Sequence, residues 1–271
     1  MTTQTMNAGS NPDEANALIS KVLEEKKSDT QEVQVKYPSD TVVTLPAGFI
    51  DPDGGVISTV EVRELTGRDE EYISKATTVG RVLNAVLSRG AVKVGELPVT
   101  EDILNKMLAG DREMVLLGIH RATFGNPLEV NGYCETCSEP KAVNIDLFED
   151  IEVRTLKDPV ADRVFKVKGK DHEYTVSLPD GAAQKELQSN MDKSLAELST
   201  ILLQHTVTEI DGEIVFSKSA VQNMGLLDRR KVSEQIALRN PGPVFKDIEA
   251  DCPDCGKEVV VPISLGSLFQ L

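Results

Sequence analysis

An α+β fold, built twice from one unit of short strands and a helix hairpin and closed by a single four-cysteine site, is the architecture this sequence predicts. Three observations carry it. Cys-x-x-Cys occurs at Cys134/Cys137 and again at Cys252/Cys255, and these are all the cysteines of the 271-residue chain. Each pair opens the same phrase, YCETCSEPKAVNIDL at 133 to 147 and DCPDCGKEVVVPISL at 251 to 265, and each phrase continues into alternating apolar residues (Val143, Ile145, Leu147; Val259, Val261, Ile263) that read as a strand. Upstream, the text stays in step at an offset of 117 or 118: Asp111-Arg112 over Asp228-Arg229, Met107 over Met224, Arg121 over Arg239, Gly95-Glu96 over Gly212-Glu213, and Asn126-Pro127 near Asn240-Pro241. Order, spacing and a shared turn together predict an internal repeat.

Taken in order, residues 1–38 form an N-terminal segment whose first ten residues are small and polar. Asn11-Pro12-Asp13-Glu14 then has the makings of a helix start, a cap followed by Pro and acids, ahead of a narrow stripe of Leu18, Ile19, Val22 and Leu23. This short amphipathic helix is expected either to dock on the core or to recognise another subunit. The first repeat, 39–150, opens on the extended run Val42-Val43-Thr44-Leu45. One helix follows from near Thr66-Gly67 to just before Gly90, with Val79, Val82, Leu83, Val86 and Leu87 on one face. The second repeat, 151–271, opens on Tyr174 to Leu178 and continues in one helix from about Ala182 to Gln204. Leu45-Pro46 and Leu178-Pro179 are expected to be equivalent, the first copy carrying the extra stretch AGFIDPDGGVIS. Thr100 and Ser217 stand where N-caps are needed, and a helix hairpin around Asp-Arg completes each unit. At that corner Asp is expected to cap its helix and Arg to pair locally or reach solvent. The two units are expected to pack about an approximate twofold axis near the cysteines.

A Cys-x-x-Cys turn aims two thiolates at one metal ion, and a closed structural Zn²⁺ site needs four ligands. Neither pair suffices alone, so the sequence predicts one shared zinc-ribbon-like site of Cys134, Cys137, Cys252 and Cys255 holding one structural Zn²⁺ per chain. Lys141 and Lys257 are placed to offset the charge of four thiolates. Disulfides fit poorly, because MTTQTMNAGS has neither the charged start nor the apolar core of a signal peptide and implies a reducing compartment. A thioredoxin-like pair would lead into a helix, whereas each pair here leads into a strand. An iron–sulfur cluster uses the same four ligands and stays open.

The net charge of −15 and the absence of Trp weigh against nucleic-acid binding, which needs clustered cations or stacking rings. No apolar run approaches the ~20 residues that span a bilayer. The chain has no phosphate loop, nucleophile elbow or His-Glu-x-x-His helix, and it is expected not to be an enzyme. Of its three histidines, His120 and His205 lie in apolar helical stretches and read as core or boundary residues.

The order of motifs resembles the bacteriophage tail baseplate proteins of the hub-assembly or tail assembly chaperone type. The resemblance rests on LPAG at 45–48, VEVREL at 60–65 leading to GRDEE, DREMVLLGIHRATFGNPLEV at 111–130, the YCETC turn and the C-terminal CPDCGKEVVVPISLGSLFQL. It covers about 41–271, and departs from the family pattern at Ser138, where Gly is expected after the second cysteine. The resemblance implies a non-enzymatic structural or assembly protein whose partners are phage tail or baseplate hub proteins. It would act in the host cytoplasm during assembly and, if retained, in the virion tail. The rival reading is a zinc-ribbon nucleic-acid adaptor or regulator, which a basic surface around the cysteine turns would favour.

Overall fold

Two strands, two helices, two strands, two helices and two strands follow one another from residue 42 to 145, and the same order, with one short strand added before the last two, recurs from 164 to 261. The computed structural model describes residues 41–215 and 217–269. The helix expected after Asn11, with Leu18 and Val22, falls outside the described residues. In the first half the elements are β1 (Val42–Ile50), β2 (Val56–Val62), α1 (Gly67–Ile73), α2 (Val79–Gly90), β3 (Ala91–Val94), β4 (Leu97–Pro98), α3 (Glu101–Lys106), α4 (Ala109–Phe124), β5 (Leu128–Cys134) and β6 (Glu139–Ile145). A short strand, β7 (Val153–Arg154), leads to the second half: β8 (Val164–Lys168), β9 (Glu173–Ser177), α5 (Gly181–Ser189), α6 (Leu195–Thr206), β10 (Val207–Ile210), β11 (Glu213–Ile214), α7 (Lys218–Gln222), α8 (Leu226–Arg239), β12 (Gly242–Pro243), β13 (Ile248–Asp251), β14 (Glu258–Val261) and α9 (Leu265–Leu268). The first four strands of each half form an antiparallel sheet in sequence order, and β12 pairs with β7.

Where one helix is expected in each half, there are two. Thr78 restarts the chain by accepting the Arg81 N–H, and Ser194 does so with a capping box closed by Glu197. A new cap satisfies the orphaned N–H groups of a helix start and lets the second helix set off in a new direction. Thr100 and Ser217 cap α3 and α7 by accepting from Ile103 and Ala220. Leu178-Pro179 does not match Leu45-Pro46. It follows β9 and leads into α5, the place Leu65 holds ahead of α1.

The last hairpins of both halves join in one sheet of order β13-β14-β5-β6. Its buried face, Val143, Ile145, Val259 and Val261, belongs to the same apolar core as Val43, Val60, Leu87 and Leu117 of the first half. The second half keeps a smaller core of its own around Tyr174, Val176, Leu203, Val232 and Ile236. A twofold axis through this sheet would set equivalent strands side by side, β5 with β13 or β6 with β14. The neighbours are β14 and β5, so the expected twofold is absent from it and the hairpins follow one another in one sense.

The halves also meet through α5, which lies on the first half. Gly181 N–H donates to Met107 C=O at 2.8 Å and Ala109 N–H to Pro179 C=O at 2.9 Å. Close by, Gly110 lies against the Pro241–Gly242 backbone so tightly that a Cβ there would overlap the Pro241 carbonyl oxygen. Beneath α5 lies Arg112, only 1% exposed. Its Nε donates to Gln184 Oε1 (2.8 Å), Nη1 to Leu104 C=O (2.7 Å) and Nη2 to Asn84 Oδ1 (2.5 Å). Asn84 in turn donates to Gln188 Oε1 at 2.9 Å. Burial lowers the Arg112 pKa to about 10, which leaves the guanidinium charged at neutral pH.

The expected roles at this corner are therefore corrected. Asp111 does not cap its helix: Leu108 is the N-cap residue of α4, and Asp111 Oδ1 instead accepts the Ala47 N–H of β1 at 2.8 Å. Burial pushes its pKa up to about 6. Arg112 does not reach solvent, because acceptors from both halves surround it. The second corner repeats the device, with Asp228 accepting the Lys170 N–H and the Tyr174 hydroxyl and Arg229 Nη1 donating to Val221 C=O.

Removing a buried charge whose partners are shaped around it leaves several buried dipoles unpaired. Arg112→Ala is therefore expected to cost about 3–5 kcal/mol in urea unfolding. A loss below about 1 kcal/mol would mean that the guanidinium is not what joins the halves.

Candidate metal centre

Strand β5 ends on Cys134 and β6 begins at Glu139, so Cys137 lies in the turn between them. Cys252 and Cys255 lie in the corresponding turn between β13 and β14. Because those hairpins share one sheet, the two turns meet at its end. The four Sγ atoms lie within 4.8 Å of one another, with Cys134 and Cys255 3.6 Å apart and Cys137 and Cys252 3.9 Å apart. A tetrahedral ion with sulfur bonds of ~2.3 Å sets its ligands ~3.8 Å apart, so the group has the dimensions of a four-thiolate site. Residues more than a hundred positions apart are brought together, as the spacing of the two turns predicts.

The turns are alike in backbone. The Cys137 N–H points to Cys134 Sγ at 3.5 Å; in the second turn Gly256 N–H donates to Cys252 C=O (2.9 Å) and Cys252 N–H to Lys257 C=O (2.7 Å). Ser138 has φ 57° and its counterpart Gly256 has φ 63°. The left-handed conformation that normally calls for glycine is thus adopted by serine in the first turn without loss of the fold of the turn.

Four thiols this close perturb one another. Backbone N–H groups of Cys255 and Asp254 stabilise a thiolate on Cys252 and draw its pKa down to about 7. The Cys137 thiol, hydrogen-bonded to Cys255 and crowded by the other sulfurs, is pushed up to about 12. Such sulfurs cannot all ionise against each other, and a multiply charged cation among them would reverse that balance. Cys134 and Cys252 are buried, Cys137 is half-buried and Cys255 exposed, so the site sits at the rim of the core with one open side.

Lys141 has a different role from the one expected. Its ammonium is held by Glu139 (2.8 Å) on its own hairpin and by Asp254 (2.5 Å) on the other, and these carboxylates raise its pKa. It braces one turn against the other. The histidines are not ligands here. His120 is buried between Phe124 and Phe269, His172 meets Asp211 at 2.6 Å, and His205 meets Glu186 at 2.6 Å. What sequence reasoning missed is the buried polar joint of Asn84, Arg112, Gln184 and Gln188, although the recurrence of Asp-Arg in both halves was its signal. Among the described residues no helix is long and apolar enough to cross a membrane.

Compared with known protein families, residues 52–270 match the model described as T4 bacteriophage base plate protein. No curated protein and no solved structure matches the chain.

Left-handed backbone at a non-glycine residue costs about 1–2 kcal/mol. Ser138→Gly is accordingly expected to leave thermal stability unchanged or raise it, while Gly256→Val lowers it by at least that much. Equal losses for the two substitutions would show that the turns do not share this conformation.

Proposed function

The chain belongs to the T4 bacteriophage base plate protein family, and from that premise we propose that it is a non-enzymatic structural or assembly component of a phage tail baseplate hub, its two halves clipped together by one structural Zn²⁺. The observation that carries the zinc reading is the convergence of all four thiols at the spacing a tetrahedral ion requires. Cys134, Cys137, Cys252 and Cys255 would hold the ion, which bound there supplies cross-linking between two hairpins and no reaction chemistry, since a closed four-thiolate shell has no position for substrate. The residues themselves already prepare the site, through Lys141 across the turns and the apolar face of the shared sheet beneath them.

The same convergence supports reading 39–150 and 151–271 as two copies of one unit, each ending in a metal turn, with 1–38 as a separate segment. Partners are then other tail or hub proteins, met in the host cytoplasm during assembly. The adaptor reading finds little support, for the exposed charges around the two turns are mostly acidic: Glu135, Glu139, Asp251, Asp254 and Glu258 against Lys257, with Lys141 half-buried between two of these carboxylates. Such a surface repels phosphate.

Native mass spectrometry is expected to find one zinc per chain. Cys137→Ser and Cys255→Ser should each release it, with a stability loss of several kcal/mol out of the ~10–16 kcal/mol typical of structural zinc. Two metals per chain, or a loss confined to one of the two variants, refutes the shared site. For the biological role, tagged protein isolated gently from phage-producing cells should bring tail or baseplate proteins with it. Recovery of nucleic acid alone would favour the adaptor.

A further inference from the structure

The docking of α5 on the first half has a counterpart position on the second half that no described residue fills. In the first half, the receiving surface is the corner around Met107, Ala109 and Arg112, and the helix that lands on it begins at Gly181. The corresponding corner of the second half is Met224, Leu226 and Arg229. It is built alike: Arg112 Nη1 donates to Leu104 C=O and Arg229 Nη1 to Val221 C=O, each eight residues back and each at 2.7 Å.

The outer half of the device, however, is open. Arg112 Nε reaches Gln184, whereas Arg229 Nε has no hydrogen-bond partner among the described residues. The Ala109 N–H is taken by Pro179 C=O, whereas the Leu226 N–H has no partner among the described residues. Ala109 is buried where the Pro179–Gly181 segment lands and Gly110 beside it lies against Pro241–Gly242, while their counterparts Leu226 and Leu227 are 76% and 66% exposed.

The complementary part is also present, and no described residue occupies it. Helix α1 holds in the first half the place that α5 holds in the second, and both begin with glycine. Gly181 is packed so closely on Leu104 C=O and Arg112 that a side chain there would collide. At Gly67 a Cβ would meet nothing within 4 Å, so nothing around it in the fold requires glycine there. Three residues on, where Gln184 accepts from Arg112, α1 carries the exposed carboxylate of Glu70. A carboxylate facing an arginine is a stronger acceptor than an amide.

The geometry points to head-to-tail self-association: α1 of a second copy of this chain docks on the open Met224–Arg229 corner as α5 docks on Met107–Arg112. Gly67 of that copy donates to Met224 C=O, Leu226 N–H donates to its Leu65 C=O, and its Glu70 accepts from Arg229. Leu226 and Leu227 are covered in the process. Such an interface is heterologous, with each copy offering a different surface at each end, and it generates a ring or an open filament rather than a closed twofold dimer. The inference rests on the equivalence of the two halves and not on the baseplate role.

The test is sedimentation velocity on the full-length protein and two variants. Leu226→Asp/Leu227→Asp blocks the corner, and acids in the first turn of α8 suit the helix dipole, so the fold is kept. Gly67→Trp blocks the helix in a position with open space around it. Wild type should form larger species as concentration rises, and each variant alone should weaken this by about tenfold or more. An equimolar mixture of the two variants should form one-to-one dimers and nothing larger, because one intact corner and one intact helix remain between them. Wild type that stays monomeric to its solubility limit, oligomers that persist in both variants, or a mixture that does not associate would each overturn the proposal. A monomeric protein that still brings tail proteins with it would overturn this inference alone.

Discussion

The arrangement depends on the burial of one positive charge. A guanidinium taken out of water must find acceptors for its donors, and Arg112 finds them on α2, on the end of α3 and on α5. That requirement fixes three elements from two halves of the chain at one point. At a second point beside it, Gly110 lets the Pro241–Gly242 backbone approach α4 so closely that a side chain there would overlap the Pro241 carbonyl. Buried polar networks of this kind are costly when incomplete, and so select one relative placement of the parts they join.

The cysteine site works on a different principle at another place. Its hairpins are joined by apolar burial and by strand pairing between β14 and β5, and the thiols crown the end of that sheet. The polar joint and the hairpins of the cysteine turns thus hold the same two halves at separate points, one through directional hydrogen bonds and the other through strand pairing and apolar burial. Two separated attachments resist rotation in a way that neither does alone. For a protein whose work is to present surfaces to neighbours, rigidity between the halves is the useful property.

The cysteine turns, their strands and the caps at Thr100 and Ser217 were legible because each is a local pattern with a local cause: paired thiols, alternation of two, a hydroxyl ahead of a helix. The helix breaks at Thr78 and Ser194 were not read, since apolar residues at helical spacing run across both and only the cap marks the restart. The Asp-Arg corner shows the deeper limit. Its recurrence was visible, yet a charged pair at a helix start looks the same whether it faces water or another half of the chain. Which of these holds is decided by residues far away, Ala47 for Asp111 and Gln184 for Arg112, and no local pattern contains them. The missing twofold is of the same kind, for two equivalent hairpins can join by like or unlike edges and only the sheet order tells which.

Val259 and Val261, in the last hairpin of the second half, fill the core that Val43 and Val60 begin. On a ribosome, where synthesis runs from N- to C-terminus, the early strands must wait for the second half to be translated before these neighbours exist. The opening half cannot complete its interior as an independent early product, and its maturation is tied to the arrival of the closing hairpin. A prematurely terminated copy would present an unfinished hydrophobic face. That hairpin therefore couples the interior of the first half to the synthesis of the second.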